Sequence, residues 1–285
     1  MDRYADEPDV VSLGERAPRT STYFLRQSGL LTQPQREQMQ AAAARFGVTW
    51  PDLFIAATAI YVHRMTGATD VVLALPVMCR LGSTSLRVPG MVMNVLPLRL
   101  HVEWALTVSE LLKQVVQEIR ALRKHQRYRH QDLRRDLKLL GENRRLFGPM
   151  INVMPFHHEL NFAGQRGMIH NLSTGPVDDL SIHVVDQGHG HGLSIDFDAN
   201  PSIYSDSELL NHQLRYMQLL NLVMQEGMET VGNLDVLLPV EREQVLVTWN
   251  GKGEVTGGSN SAALFEQQVR RTPSATALTF EGESL

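Results

Sequence analysis

The stretch Pro51–Met65 constrains the fold more than any other part of the chain. Leu53, Ile55, Ala56, Ala59, Ile60 and Val62 recur so densely that a helix formed there is apolar on most of its faces. Such a helix cannot rest on a surface. Other elements must surround it, and Gly67 supplies its stop. The material is available, because 43% of the 285 residues are hydrophobic and 20% are charged, which excludes disorder over most of the length. At roughly 150 residues per domain, that length predicts about two domains.

The surrounding elements follow in order. The first thirty residues, with Pro8 and Pro18, read as irregular. A helix should start after Thr32, with Pro34 in its first turn, and run through Ala41–Ala44 to Gly47. Val71–Met78 is a continuous apolar run and reads as a buried strand; a polar stretch from Gly82 to Gly90 separates it from a strand over Met91–Leu100. Thr107 and Glu110 form a capping box. The helix they open places Val108, Leu111, Leu112, Val115, Val116, Ile119 and Leu122 on one stripe. Strands are expected at Met150–Phe156, Gly167–Leu172, Leu180–Val185 and Leu193–Asp198, the last two flanking a hairpin turn at Gly188–Gly192. Ser205 and Glu208 cap a further helix through Leu209, Leu210, Leu214, Met217, Leu220 and Met224. After Gly232 come a short helical stretch (Val240–Trp249), a polar segment (Asn250–Asn260) and a helix (Ala262–Arg271). Thr276–Phe280 then reads as a strand without a partner downstream, which suggests a second domain cut short. The order predicts an α+β fold, helices covering a mixed sheet, and no regular βα alternation.

Charge and motif content exclude several kinds of chemistry. The 27 basic and 31 acidic residues leave a net charge of −4, so neither nucleic acid nor a membrane is an expected partner. No apolar run approaches the roughly 18 residues of a membrane span, and the first residues lack a signal-peptide core. The single cysteine, Cys79, cannot form an internal disulfide and fits a reducing, cytoplasmic setting; within an apolar strand end it reads as an inert thiol. Of the eleven histidines, His189 and His191 sit on a glycine-rich turn and His157–His158 lacks the HExxH context, so no metal is expected. Neither a phosphate-binding glycine loop nor a GxSxG elbow occurs. From Arg120 to Arg145 ten Lys/Arg stand against three acidic residues. That run is either a solvated helix face with its following loop or a docking patch for an acidic partner.

Several motifs in series carry a resemblance. Leu75–Arg80 followed by Pro89-Gly90-Met91-Val92-Met93-Asn94-Val95-Leu96-Pro97-Leu98-Arg99 resembles a signature of condensation domains in nonribosomal peptide synthetases. His130-Gln131-Asp132-Leu133 resembles the family's next motif, with Arg134-Arg135-Asp136 replacing the usual Pro-Phe-Glu, and Arg144-Arg145-Leu146-Phe147 is similar to the one after. Gly175–Leu180 and the basic run Arg123–Tyr128 look most like synthetases that assemble catecholate siderophores such as enterobactin. Leu238–Asn250 and Leu264–Pro273 resemble the entry into an adenylation domain. The family's catalytic motif, two histidines, three residues, then Asp-Gly, does not occur upstream of Arg80, and His157–His158 is followed at the Asp-Gly positions by Phe162 and Ala163.

The resemblance implies one chloramphenicol acetyltransferase-like lobe of a two-lobed domain. Residues 1–30 would be an irregular inter-lobe segment, 31–235 the C-terminal lobe, 236–260 a linker and 261–285 the beginning of an adenylation domain. The parent enzyme would join an acyl or peptidyl thioester to an aminoacyl thioester, each on the phosphopantetheine arm of a carrier protein, with proximity supplying much of the rate. Partners would be carrier proteins, the missing N-terminal lobe and the adenylation domain; no cofactor is bound directly, and this chain holds no catalytic residue, so it is inactive alone. Arg80 is the candidate for an ion pair with the aspartate of the absent motif. Asn94 and Asn152, and with them Asp179, either line the tunnel or fix strand ends by backbone hydrogen bonds. Arg123, Lys124, Arg127, Arg134 and Arg135 are the docking candidates. The alternatives are a free-standing acyltransferase using a coenzyme A donor and its own histidines, or a non-catalytic docking module.

Overall fold

The structure is a computed structural model that describes residues 4, 10–80, 88, 90, 92–139, 145–155, 160–167, 171–173, 175–188, 192–225, 229–250 and 260–284. It divides into two compact units, Met1–Leu238 and Pro239–Leu285.

In the first unit a six-stranded mixed sheet carries helices on one face. The strands are β1 (Leu25–Leu31), β2 (Asp70–Met78), β3 (Met93–His101), β4 (Met150–Met154), β7 (Leu180–Asp186) and β8 (Leu193–Ala199); a separate hairpin pairs β5 (Leu160–Phe162) with β6 (Gln165–Gly167). The sheet order is β1-β8-β7-β4-β2-β3, with β4 parallel to both of its neighbours and the other pairs antiparallel. Alternation decides the inner face: Leu73 and Leu75, Leu98 and Leu100, Ile151, Ile182 and Val184, and Ile195 and Phe197 all enter the core.

The helices are α1 (Gln33–Phe46), α2 (Trp50–Thr66), α3 (Val108–Arg123), α4 (His130–Asp136) and α5 (Asp206–Gln225). As its composition requires, α2 is buried continuously from Leu53 to His63, enclosed by α1, α3, α5 and strands β2 and β4. Each fully buried Leu, Ile or Phe there contributes about 1.5–3 kcal/mol relative to exposure. By contrast α3 buries only Val108, Leu111, Leu112, Val115 and Ile119, five of the seven residues of the stripe read from its sequence, while Val116 and Leu122 are half-buried. Both capping boxes form, through Thr107 N–H donating to Glu110 (2.9 Å) and Ser205 N–H donating to Glu208 (2.7 Å). The β7–β8 hairpin closes in register, Asp186 opposite Leu193. Gly192 there adopts φ +76°, and a Cβ would stand 1.9 Å from the Leu31 carbonyl oxygen, so only glycine fits.

Four expectations are corrected. The segment read as irregular up to residue 30 contains β1, an edge strand paired along its whole length with β8. Apolar alternation does not hold it there; Arg26 and Ser28 bond Asp198 and Asp196 across the pair. Second, the basic run after α3 folds into α4, whose Leu133 joins Leu139 and Leu146 in a small core of its own. Third, the strand read over 167–172 is not present at its described far end: β6 ends at Gly167 and Asn171 and Leu172 are irregular, while 168–170 lie outside the described residues. The polar Asn-Leu-Ser surroundings offer no alternating face. Finally, Thr279–Phe280 does have a downstream partner, Glu283–Ser284, through a tight turn at Glu281–Gly282.

The second unit comprises α6 (Pro239–Glu243) running into a π-helical turn (Gln244–Thr248), then α7 (Ser261–Arg271) and the hairpin of β9 (Thr279–Phe280) with β10 (Glu283–Ser284). Asn260 caps α7 by accepting from the Ala263 N–H at 2.8 Å. Residues 251–259 of the polar segment lie outside the described residues.

Candidate functional site

The candidate residues fall into three groups. The first lies at the open end of the β2–β3 ribbon. The Asn94 side chain donates to the carbonyls of Gln126 (3.0 Å) and Tyr128 (2.8 Å) and accepts from the His130 N–H (3.2 Å). All three bonds go to backbone, so Asn94 fastens the α3–α4 turn to the end of β3. Cys79 donates to the same Gln126 carbonyl at 3.0 Å, and burial pushes its thiol up, away from the reactive thiolate. The Arg80 guanidinium donates to the carbonyls of Val88 and Gly90 in the connection that follows it.

The docking candidates separate on inspection. Arg123, Lys124 and Arg127, with His125, Gln126 and Tyr128, line an open depression of about 420 Å³. Arg135 is instead engaged on its own helix, 3.0 Å from Asp132 and 3.3 Å from Asp136. Arg134 donates to the Leu139 carbonyl at 3.4 Å. Beside them His130 stacks near Phe147, ring centres 5.1 Å apart, and burial, aided by Arg134, pushes its imidazole below the ordinary histidine range.

Asp179 anchors the second group. Only 4% exposed, it accepts from Arg145 (2.7 Å), Ser12 (3.0 Å) and the Tyr204 hydroxyl (2.7 Å), tying three distant segments to the start of β7. Burial, followed by the Asp179 charge, pushes the Tyr204 phenol up, so it remains a donor.

The third group occupies the sheet face opposite the helices. Asn152 on β4 lies beside His183 on β7, Nδ2 to Nδ1 3.5 Å, and the other ring nitrogen is 3.7 Å from Asp198 on β8. Asp198, fully buried, receives both the Nε (2.6 Å) and an Nη (2.7 Å) of Arg26. Burial, reinforced by Arg26 and opposed by Asp198, holds the His183 imidazole below the ordinary histidine range. Of these residues Arg26, His183 and Asp198 escaped sequence reasoning. The signal was present: Ser181 and His183 on β7 and Asp196 and Asp198 on β8 are polar positions on one face of adjacent strands.

The His183 environment has a pH consequence. Its folded-state pKa lies below the unfolded value of about 6.5, so the unfolded chain binds more protons between the two values. Stability is therefore complete above pH 6.5 and declines as the pH falls through that window. In urea unfolding at stepped pH, His183→Gln should show a flatter decline below pH 6.5 than the parent chain. Parallel curves would remove His183 from the acid response.

His157, His158, His189 and His191 lie outside the described residues. Among the described residues no three His, Cys, Asp or Glu side chains converge as a metal site, and no helix is long and apolar enough to cross a membrane.

The model of the condensation domain matches residues 6–246. The chain belongs to the condensation-domain family. A dimodular nonribosomal peptide synthase of Bacillus subtilis is 51% identical over 278 residues, covering 98% of this chain and 12% of that protein. Enterobactin synthase component F of Escherichia coli is 32% identical over 242 residues, covering 85% of this chain and 19% of that protein. Among solved structures, the first condensation domain of the calcium-dependent antibiotic synthetase, bound to a substrate analogue, superposes with a TM-score of 0.76 at 33% identity. It matches 83% of this chain and 52% of its own. The starter condensation domain of rhizomide synthetase, solved with C8-CoA and Leu-SNAC, gives 0.75 at 35% identity, with 83% and 53% covered. This chain therefore spans about half of the solved condensation domains it matches and less than a fifth of the curated synthetases.

Proposed function

We propose that this chain forms the C-terminal lobe of a condensation domain in a nonribosomal peptide synthetase, followed by a linker and the first elements of an adenylation domain. The lobe supplies one wall of a chamber in which an aminoacyl amine attacks a carrier-bound acyl thioester. The amide C–N bond forms, the C–S bond breaks, and the amine proton ends on the released thiol. One observation carries the reading: 83% of the chain superposes on 52% of a solved condensation domain, while its sequence contains no two-histidine, Asp-Gly motif. Proton handling then belongs to the other lobe. Positioning of two tethered reactants supplies the rest.

The likeness to enterobactin synthase component F favours a siderophore-type assembly line. The rhizomide synthetase domain, solved with an acyl-coenzyme A, supports pantetheine-linked thioesters as the substrate class. Carrier proteins, the complementary lobe and an adenylation domain are the partners, and a cytoplasmic setting suits such substrates.

Reconstitution tests this. The chain is mixed with a separately expressed N-terminal lobe and two loaded carrier proteins, and amide product is followed by mass spectrometry. Product should appear only in the full mixture. Amide formed by this chain without the second lobe would overturn the division of labour.

A further inference from the structure

We infer that His183 is a positioning residue: it holds the Asn152 amide with its oxygen turned to the open face of the sheet, as an acceptor for a substrate N–H. The inference rests on the reading above for what lies against that face. Four polar residues stand in one row across the strands. Ser28 on β1 pairs with Asp196 on β8, Asp196 with His183 on β7, and His183 with Asn152 on β4. His183 is 4% exposed, yet among the described residues its Nε2 has no hydrogen-bond partner. Asp198, 3.7 Å away, already holds Arg26 with both oxygens. A histidine kept only to satisfy the sheet would be paired at both nitrogens. What this ring does meet is Asn152, whose Nδ2 lies 3.5 Å from its Nδ1.

The chemistry of the two side chains sets the direction. An amide nitrogen only donates, so Nδ1 accepts, and the proton of the neutral imidazole sits on Nε2, facing the Asp198 carboxylate. Turned over, the amide would set its oxygen against the Nδ1 lone pair. The Asn152 oxygen is therefore the atom left over on a half-buried residue. Met150 and Met154, two positions to either side on the same face, are half-buried, as is Val185 beside Met154. Among apolar side chains an oriented acceptor acts more strongly than in water. By accepting one N–H of the attacking amine, it leaves the nitrogen lone pair free to point at the thioester carbon. An imidazolium carries N–H on both nitrogens and would face Nδ2 donor to donor, so protonation of His183 turns the amide over. The charged groups facing the ring are Arg26 on β1 and Asp196 and Asp198 on β8; burial and Arg26 oppose that protonation, and the two carboxylates favour it.

Nuclear magnetic resonance on the full chain, labelled at histidine and asparagine, tests the orientation without any activity. Long-range proton–nitrogen spectra should place the His183 proton on Nε2, and the Asn152 side-chain amide signals should move as His183 titrates. In His183→Gln, which offers Asn152 an acceptor and does not titrate, that movement should vanish. A proton on Nδ1, or an Asn152 amide indifferent to the titration, overturns the inference. In the reconstituted assay His183→Leu should lower kcat by about tenfold, the effect of one oriented hydrogen bond. His183→Gln should restore most of it and lose less activity than the parent chain as the pH falls below about 6.5. In an Asn152→Ala background His183→Leu should cost nothing further, because the ring acts through that amide. Circular dichroism should match for every variant. Full activity in His183→Leu, or an equal further loss in the Asn152→Ala background, overturns the inference as well. Should the parent chain form no amide with its complementary lobe while the resonance results hold, the family role fails and the orientation of Asn152 by His183 stands.

Discussion

Asp198→Ala should lower the stability of the first unit by about 3–5 kcal/mol, the usual cost of breaking a buried ion pair by deleting one partner. The Asp198 side chain has no solvent exposure, and both its oxygens hold the Arg26 guanidinium. Deletion strands a partly buried cation between β1 and β8 and removes the carboxylate that faces His183. The edge strand β1, whose apolar alternation is poor, loses its principal side-chain tie. Urea unfolding should show a lower midpoint at unchanged slope. Removing Arg26 together with Asp198 should cost less than the two single losses added, because no charge is left uncompensated. A loss below about 1 kcal/mol for Asp198→Ala would mean that the pair is ordinary surface electrostatics.

Phe54→Ala should cost a similar amount, about 3–5 kcal/mol, through a different mechanism. Phe54 is fully buried on the first turns of α2, edge-on to Trp50 with ring centres 5.9 Å apart. Its carbonyl accepts from Thr58 (2.8 Å) and from the Tyr216 hydroxyl of α5 (3.2 Å). The substitution leaves that backbone pattern in place and empties the ring's volume, so the loss reports packing alone. A close-packed interior relaxes only in part around such a void. Phe54→Leu should recover much of the loss. An undiminished midpoint in Phe54→Ala would show that α2 is not the enclosed element of this fold.

These two sites mark the limits of what a single sequence discloses. Phe54 belongs to a helix whose burial is written in consecutive residues, and the periodic stripe of α3 and the capping boxes at Thr107 and Ser205 are equally local. Asn94 was legible as a candidate because of the motif around it, yet its two possible roles diverged only by what stood opposite. The turn it fastens lies 32 to 36 residues away in sequence. Arg135 and Arg123 looked alike in one basic run; neighbouring aspartates on α4 engage the first, while the second borders an open depression.

The sequence by itself determined the enclosed α2, the one-sided α3, the β7–β8 hairpin and the family motifs, because each depends on spacing along a few turns or strands. Tertiary structure alone decided that Leu25–Leu31 is an edge strand, that Ser12, Arg145 and Tyr204 meet at Asp179, and that Arg26, Asp198, His183 and Asn152 share one buried face. The reason is physical. Burying a polar group requires partners, and in a mixed sheet those partners come from strands that the chain order does not place side by side.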